Sequence, residues 1–140
     1  MHSHLARERA DGAHPFHMPL AHTEFARKIL GPGKLLVPHQ TVRLDPDPIR
    51  ARDRAREGVR AVMGVPAYAR ALQRFGYPDD GDRLIDAVVA WGDEDRIARR
   101  VREQHDAGAD HVLVSPVGSD LTSIVDQLER LAPALIGVAA

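Results

Sequence analysis

Eight histidines give this sequence its richest set of groups able to move a proton or hold a metal ion near neutral pH. Two stand near the start, His2 and His4, and two flank a short apolar step, His14-Pro15-Phe16-His17. The second pair reads as part of a strand, where residues three apart point to opposite faces, so His14 and His17 do not pair on one ion. No His-Glu-x-x-His helix offers the usual alternative, and no metal is expected. His22 and His105 read as groups at a helix surface or end, and His111 as a hydrogen-bonded packing residue opening a buried strand. Proton transfer and ligand contact are the chemistry left to His14 and His17.

Other routes are closed by what is missing. Ser115, Ser119 and Ser123 sit in no Gly-x-Ser-x-Gly elbow, so an activated serine is not indicated. No dinucleotide fingerprint or Walker loop occurs, and Gly31-Pro32-Gly33 reads as a helix stop. Asp93-Glu94-Asp95 is explained by a helix cap followed by two first-turn carboxylates. The arginines at 50, 52, 54, 56 and 60 read as a solvated helix face with Asp53 and Glu57 as partners. Zero cysteines exclude disulfides, thiolate catalysis and iron–sulfur clusters. With 19 Lys and Arg against 20 Asp and Glu, no field attracts nucleic acid or an anionic membrane. One Trp, two Tyr and three Phe are too few for a base-stacking platform. No apolar run reaches the roughly 18 residues of a membrane span, and the charged first residues do not resemble a signal peptide, so a cytoplasmic protein is expected.

The elements that must position these groups follow from periodicity and punctuation. The 140 residues form one domain, 1–140, with no repeat and no linker. A helix over Leu5 to Arg9 breaks at Asp11-Gly12 before a strand, Ala13 to Met18. A second helix carries Phe25, Ala26, Ile29 and Leu30 on one side, and Lys34 to Leu44 reads as the next strand. Asp47-Pro48 starts a long helix as N-cap and first residue, with Ile49, Ala55, Val59, Val62 and Met63 as its stripe. Helices over Ala67 to Phe75 and Arg83 to Trp91 follow. Asp93 caps another, whose inward face is Ile97, Ala98, Val101 and His105. His111 to Val114 reads as a buried strand, and Asp120 to Leu131 as a last amphipathic helix with Leu121, Ile124, Val125, Leu128 and Leu131 in its pattern. Three strands, each followed by a helix, predict an α/β fold with parallel strands and right-handed crossovers.

In such folds ligands collect beyond the C-terminal ends of parallel strands. That selects His14, Phe16 and His17 on the first strand, Asp45 after the second, and Ser115 to Gly118 after the third.

Several stretches together resemble a known family. They are Leu5 to Phe16, His22-Thr23, Ala26 to Pro32, Leu35 to Gln40, Asp45 to Ala51, Gly76-Tyr77, Asp82 to Gly92, Ile97 to Val101 and Ala107 to Val112. The chain is similar to the luciferase-like monooxygenase superfamily, in its deazaflavin-dependent, coenzyme F-420 group of oxidoreductases. His39 departs from it, since relatives often carry Glu between the Pro and the Gln. The resemblance implies a (β/α)8 barrel of the TIM type, which typically needs about 250 residues. The chain resembles only the C-terminal half, which implies an incomplete barrel of about three parallel strands with their helices. The resemblance implies hydride passed between coenzyme F-420 and an organic substrate, with a fragment of a flavin mononucleotide-dependent monooxygenase of the same superfamily as the alternative. The parts that meet the coenzyme phosphates precede the matched region. His14 and Phe16 carry over as pocket-lining residues. A truncated oxidoreductase, or a non-catalytic half-barrel serving assembly, is therefore expected. Open sheet edges, and the homodimers common among relatives, add an expectation of homo-oligomers.

Overall fold

The computed structural model describes residues 2–137. Helix α1 (His2–Arg9) leads into the short strand β1 (Gly12–Ala13), then helix α2 (Leu20–Leu30). Gly31 ends α2 with φ +77°, a conformation that glycine adopts without a Cβ penalty. Strands β2 (Leu35–Leu36) and β3 (His39–Leu44) follow, and Asp47 caps α3 (Pro48–Met63) by accepting the Arg50 N–H at 2.8 Å. Helices α4 (Pro66–Arg74) and α5 (Asp82–Val88) precede β4 (Val89–Gly92). Then come α6 (Glu94–Asp106), β5 (Leu113–Pro116) and α7 (Leu121–Ile136), the two helices capped by Asp93 and Asp120.

All pairings are parallel. β1 lies against β2 with Gly12 opposite Leu35, and β3 lies between β4 and β5, Thr41 facing Val89 and His39 facing Leu113. Side-chain alternation then distributes the core. Val42, Leu44 and Ala90 point to one face and pack on Ile97 of α6 and Leu131 of α7. Val89 points to the other face, among Ala55, Val59, Leu72, Leu84 and Ile85 from α3, α4 and α5. Leu36 packs on Ala26 and Leu30 of α2.

The parallel α/β class agrees with the sequence reading, and four details depart from it. The strand expected over Ala13 to Met18 is only Gly12–Ala13 plus one bridge from Phe16 to His39, because Pro15 has no N–H to give and His17 turns away at φ +54°. The strand expected over Lys34 to Leu44 is interrupted at Val37-Pro38, again where proline lacks a donor. The helix expected through Trp91 stops at Val88, and Val89–Gly92 is an additional strand, buried along its whole length, whereas the last strand, expected to be buried, is half-buried to exposed. The last strand runs Leu113–Pro116 rather than from His111, which is exposed.

Two side-chain expectations change as well. The α3 arginines find partners on other elements rather than Asp53 and Glu57. Arg52 binds Asp86 at 2.7 Å, Arg50 binds Asp45 at 2.6 Å, and Arg56 and Arg60 reach Asp82 and Asp80. On α6 it is Gln104, not His105, that completes the buried face, one turn beyond Val101. No helix among the described residues is long and apolar enough to cross a membrane.

Candidate functional site

Beside β1 and the bend that follows it, α1 and α4 leave a cleft of about 450 Å³. Its walls are mostly small or apolar. Ala6, Gly12 and Ala13 form one side, Ala67 and Ala71 of α4 the other, and Phe16 and Tyr68 stand in it as aromatic walls. That volume lies within the usual range for small-molecule sites, roughly 300–1,000 Å³.

His14 and Phe16, singled out by position in the sequence, both line this cleft. The Nδ1 of His14 lies 2.6 Å from the Val37 carbonyl oxygen. A carbonyl only accepts, so Nδ1 is the ring nitrogen that carries a proton toward Val37, and the neutral tautomer consistent with this contact holds its lone pair on Nε2. Phe16 is the centre of a ring cluster, with its centroid 4.7 Å from His39, 5.0 Å from His17 and 5.9 Å from Tyr68. The His39 and Tyr68 contacts are edge-on, the arrangement that ring quadrupoles favour.

His17 lies behind that cluster. It is buried, its backbone sits at φ +54°, and its Nδ1 is 3.2 Å from the Thr41 hydroxyl. Its Nε2 has no hydrogen-bond partner among the described residues. Burial, with repulsion from His39 adding to it, pushes the His17 pKa down to about 4, so the ring is neutral near pH 7. His39 is lowered too, by burial first and by His14 second. The three rings of His14, His17 and His39 thus share one neighbourhood. Among the described residues no three His, Asp or Glu side chains converge as metal ligands, and the side chain of His2 lies outside those residues.

The other positional candidates do not join the cleft. Asp45 is buried after β3 and accepts from two Arg50 nitrogens, Nε at 2.6 Å and Nη2 at 2.8 Å. Past β5 the Val117 carbonyl accepts from Arg43 and from Gln127, each at 2.8 Å, which ties that turn to the frame. His105 Nδ1 meets the Ala109 carbonyl at 3.1 Å, and the His22 ring packs 5.5 Å from Phe75 while also lining the cleft. Tyr68 and the packing role of His39 were not foreseen. The legible signal for Tyr68 is its place between Ala67 and Ala71, two small residues one helical turn apart that leave room beside an aromatic ring.

No known family profile and no curated protein matches the chain. Among solved structures, its backbone is similar to an F-420-dependent secondary alcohol dehydrogenase in complex with an F-420–acetone adduct, at TM-score 0.65 and 15% identity, over 95% of this chain and 45% of that one. It is similar also to the coenzyme F-420-dependent tetrahydromethanopterin reductase from Methanopyrus kandleri, at TM-score 0.66 and 20% identity, over 95% of this chain and 48% of that one. The chain spans about half the length of these two structures. At such identities the likeness is one of fold: a mixed α/β arrangement of parallel strands and helices, consistent with part of a barrel.

Proposed function

We propose that this chain is the C-terminal half of a luciferase-like, F-420-dependent oxidoreductase barrel, a cytoplasmic protein whose complete site passes hydride between the deazaflavin and a small organic substrate. The observation that carries the reading is the fold match, over 95% of the chain, to two structures of F-420-dependent enzymes. The cleft adds to it. His14 and Phe16 stand beyond a parallel strand, where α/β enzymes collect their ligands, and His17 backs them. The fit to the coenzyme is partial. Aromatic walls and small residues suit a flat ring, whereas the described lining holds no Lys or Arg to neutralise a phosphate. The phosphates would be held by the length of barrel that this chain does not span.

That missing cation favours a second reading, a half-barrel that binds a small molecule or a second copy of itself without performing catalysis. Titration of the purified chain with coenzyme F-420, followed by deazaflavin fluorescence and compared with flavin mononucleotide, separates the two. Saturable binding of F-420 is the expected result, and tighter binding of flavin mononucleotide would reassign the cofactor. Binding of neither ligand would overturn the oxidoreductase reading for this chain.

A further inference from the structure

The cleft is asymmetric in its hydrogen-bonding capacity, and that asymmetry specifies a class of ligand. Among the described residues lining it there is no Lys, Arg, Asp or Glu. A charged ligand entering would shed part of its water without gaining a counter-charge from the lining. Neutral molecules carry no such cost. The small residues Ala6, Gly12, Ala13, Ala67 and Ala71 set the walls of a slot, and Phe16 and Tyr68 present ring surfaces to it, which favours a flat, apolar body.

The polar requirement comes from His14. Its Nδ1 is committed to the Val37 carbonyl at 2.6 Å, so the neutral ring can only accept at Nε2. A ligand that meets this nitrogen must bring the proton. We propose that the cleft binds an uncharged, flat organic molecule that donates a hydrogen bond, from a hydroxyl or an N–H group, to Nε2 of His14. This deepens the oxidoreductase reading by naming the substrate class of the same site, and it rests on that reading only for calling the molecule a substrate. Tyr68, whose hydroxyl both donates and accepts, is able to serve a second polar atom on the same molecule. Burial lowers the pKa of His17 and of His39, behind Phe16, which disfavours positive charge on these two rings.

Three naphthalene probes test the proposal, read by their own fluorescence at mildly alkaline pH with the full chain. 2-Naphthol has the ring and the donor, naphthalene has the ring alone, and 2-naphthoate replaces the donor with a charge. The expected order is 2-naphthol over naphthalene by about fivefold, the worth of one ordinary hydrogen bond, with no saturable binding of 2-naphthoate. In His14→Phe the preference for 2-naphthol disappears while naphthalene still binds. In Ala71→Phe, or in Ala67→Phe should the first fail to fold by circular dichroism, the filled slot abolishes binding of both. Equal affinity for 2-naphthol and naphthalene, survival of the preference in His14→Phe, or tightest binding by 2-naphthoate would each overturn the proposal. A naphthol preference without F-420 binding would sink the oxidoreductase reading and leave the ligand class standing. F-420 binding without that preference would do the reverse.

Discussion

Gln104 on α6 donates from Nε2 to the side-chain oxygen of Gln40 on β3 at 2.9 Å, and both residues are 2% exposed. The bond is one link of a buried chain. Thr23 on α2 donates to the Gln104 oxygen at 2.6 Å, and the Gln40 amide donates to the carbonyls of Thr41 at 2.9 Å and Val88 at 3.2 Å. Polar groups of α2, α6, β3 and α5 are thereby satisfied by one another. Gln104→Leu strands the Thr23 hydroxyl and the Gln40 oxygen, each at roughly 1–3 kcal/mol. The paired change Thr23→Val with Gln104→Leu removes one stranded group and costs less than the two single losses added together. Urea unfolding of the three variants measures this, and strictly additive losses would show that the chain is not coupled.

The pH dependence of stability has a separable histidine component. The folded pKa of His17 is about 4, below its ordinary 6.5, so the unfolded chain binds this proton more tightly than the folded one. Its contribution is complete above about pH 6.5 and is lost as pH falls from there toward 4. At about 1.36 kcal/mol per pH unit the loss is on the order of 3 kcal/mol. Asn tolerates the positive φ of this position, so His17→Asn preserves the bend while removing the titration. Unfolding free energies of wild type and variant across that window should converge as pH falls. Parallel curves would mean that the imidazole stays accessible to protons in the fold.

Asp45 governs the next window down. Its hydrogen bonds from Arg50 hold the carboxyl below its ordinary value against the opposing effect of burial, with the Asp47 N–H and the charge of Arg43 adding to them. A depressed carboxylate stabilises above its unfolded value and loses that stabilisation as pH falls through the folded one. Wild type should therefore shed stability from about pH 4 downward, beneath the histidine window. Asp45→Asn should melt a few degrees lower at neutral pH and differ little at the acid extreme. Thermal melts across pH decide it, and an equal deficit at every pH would assign the loss to geometry rather than charge.

What the sequence disclosed, and what it withheld, follows from the range of the interactions involved. The caps Asp47 and Asp93 were legible because they are local, each binding an N–H three residues on, whereas Asp120, expected inside the last helix, proves to be its cap. His14 and Phe16 were singled out by their place on the expected first strand and by resemblance, and both line the cleft just past the shorter strand that forms. The run Val88 to Trp91 carries no period that separates helix from strand, and only its pairing with β3 decides. Arg52 had nearby carboxylates at Asp53 and Glu57, yet its partner is Asp86, which also accepts from Trp91 at 2.7 Å. Tyr68 reaches the cleft only because α4 comes beside the bend after β1, where its ring meets Phe16 at 5.9 Å, a tertiary fact without local signature.

The outer edge of β5 has no strand beside it among the described residues, nor has that of β1. Near the first edge, Leu113 and the α7 residues Leu121, Val125 and Leu128 are 44%, 75%, 40% and 39% exposed, the last three in steps of four and three along one helix face. Unpaired parallel edges recruit partners running the same way. Two copies related by a twofold axis along the strands satisfy that condition, β5 of each meeting β1 of the other, and together they approach the length of one barrel chain. We expect a dimer by light scattering. Val125→Lys with Leu128→Lys places charge on the face that must be dry and should yield a monomer with unchanged circular dichroism, because neither residue belongs to the buried core. A wild-type monomer at high concentration would show that these edges are covered some other way. A dimer indifferent to the lysines would move the interface off α7.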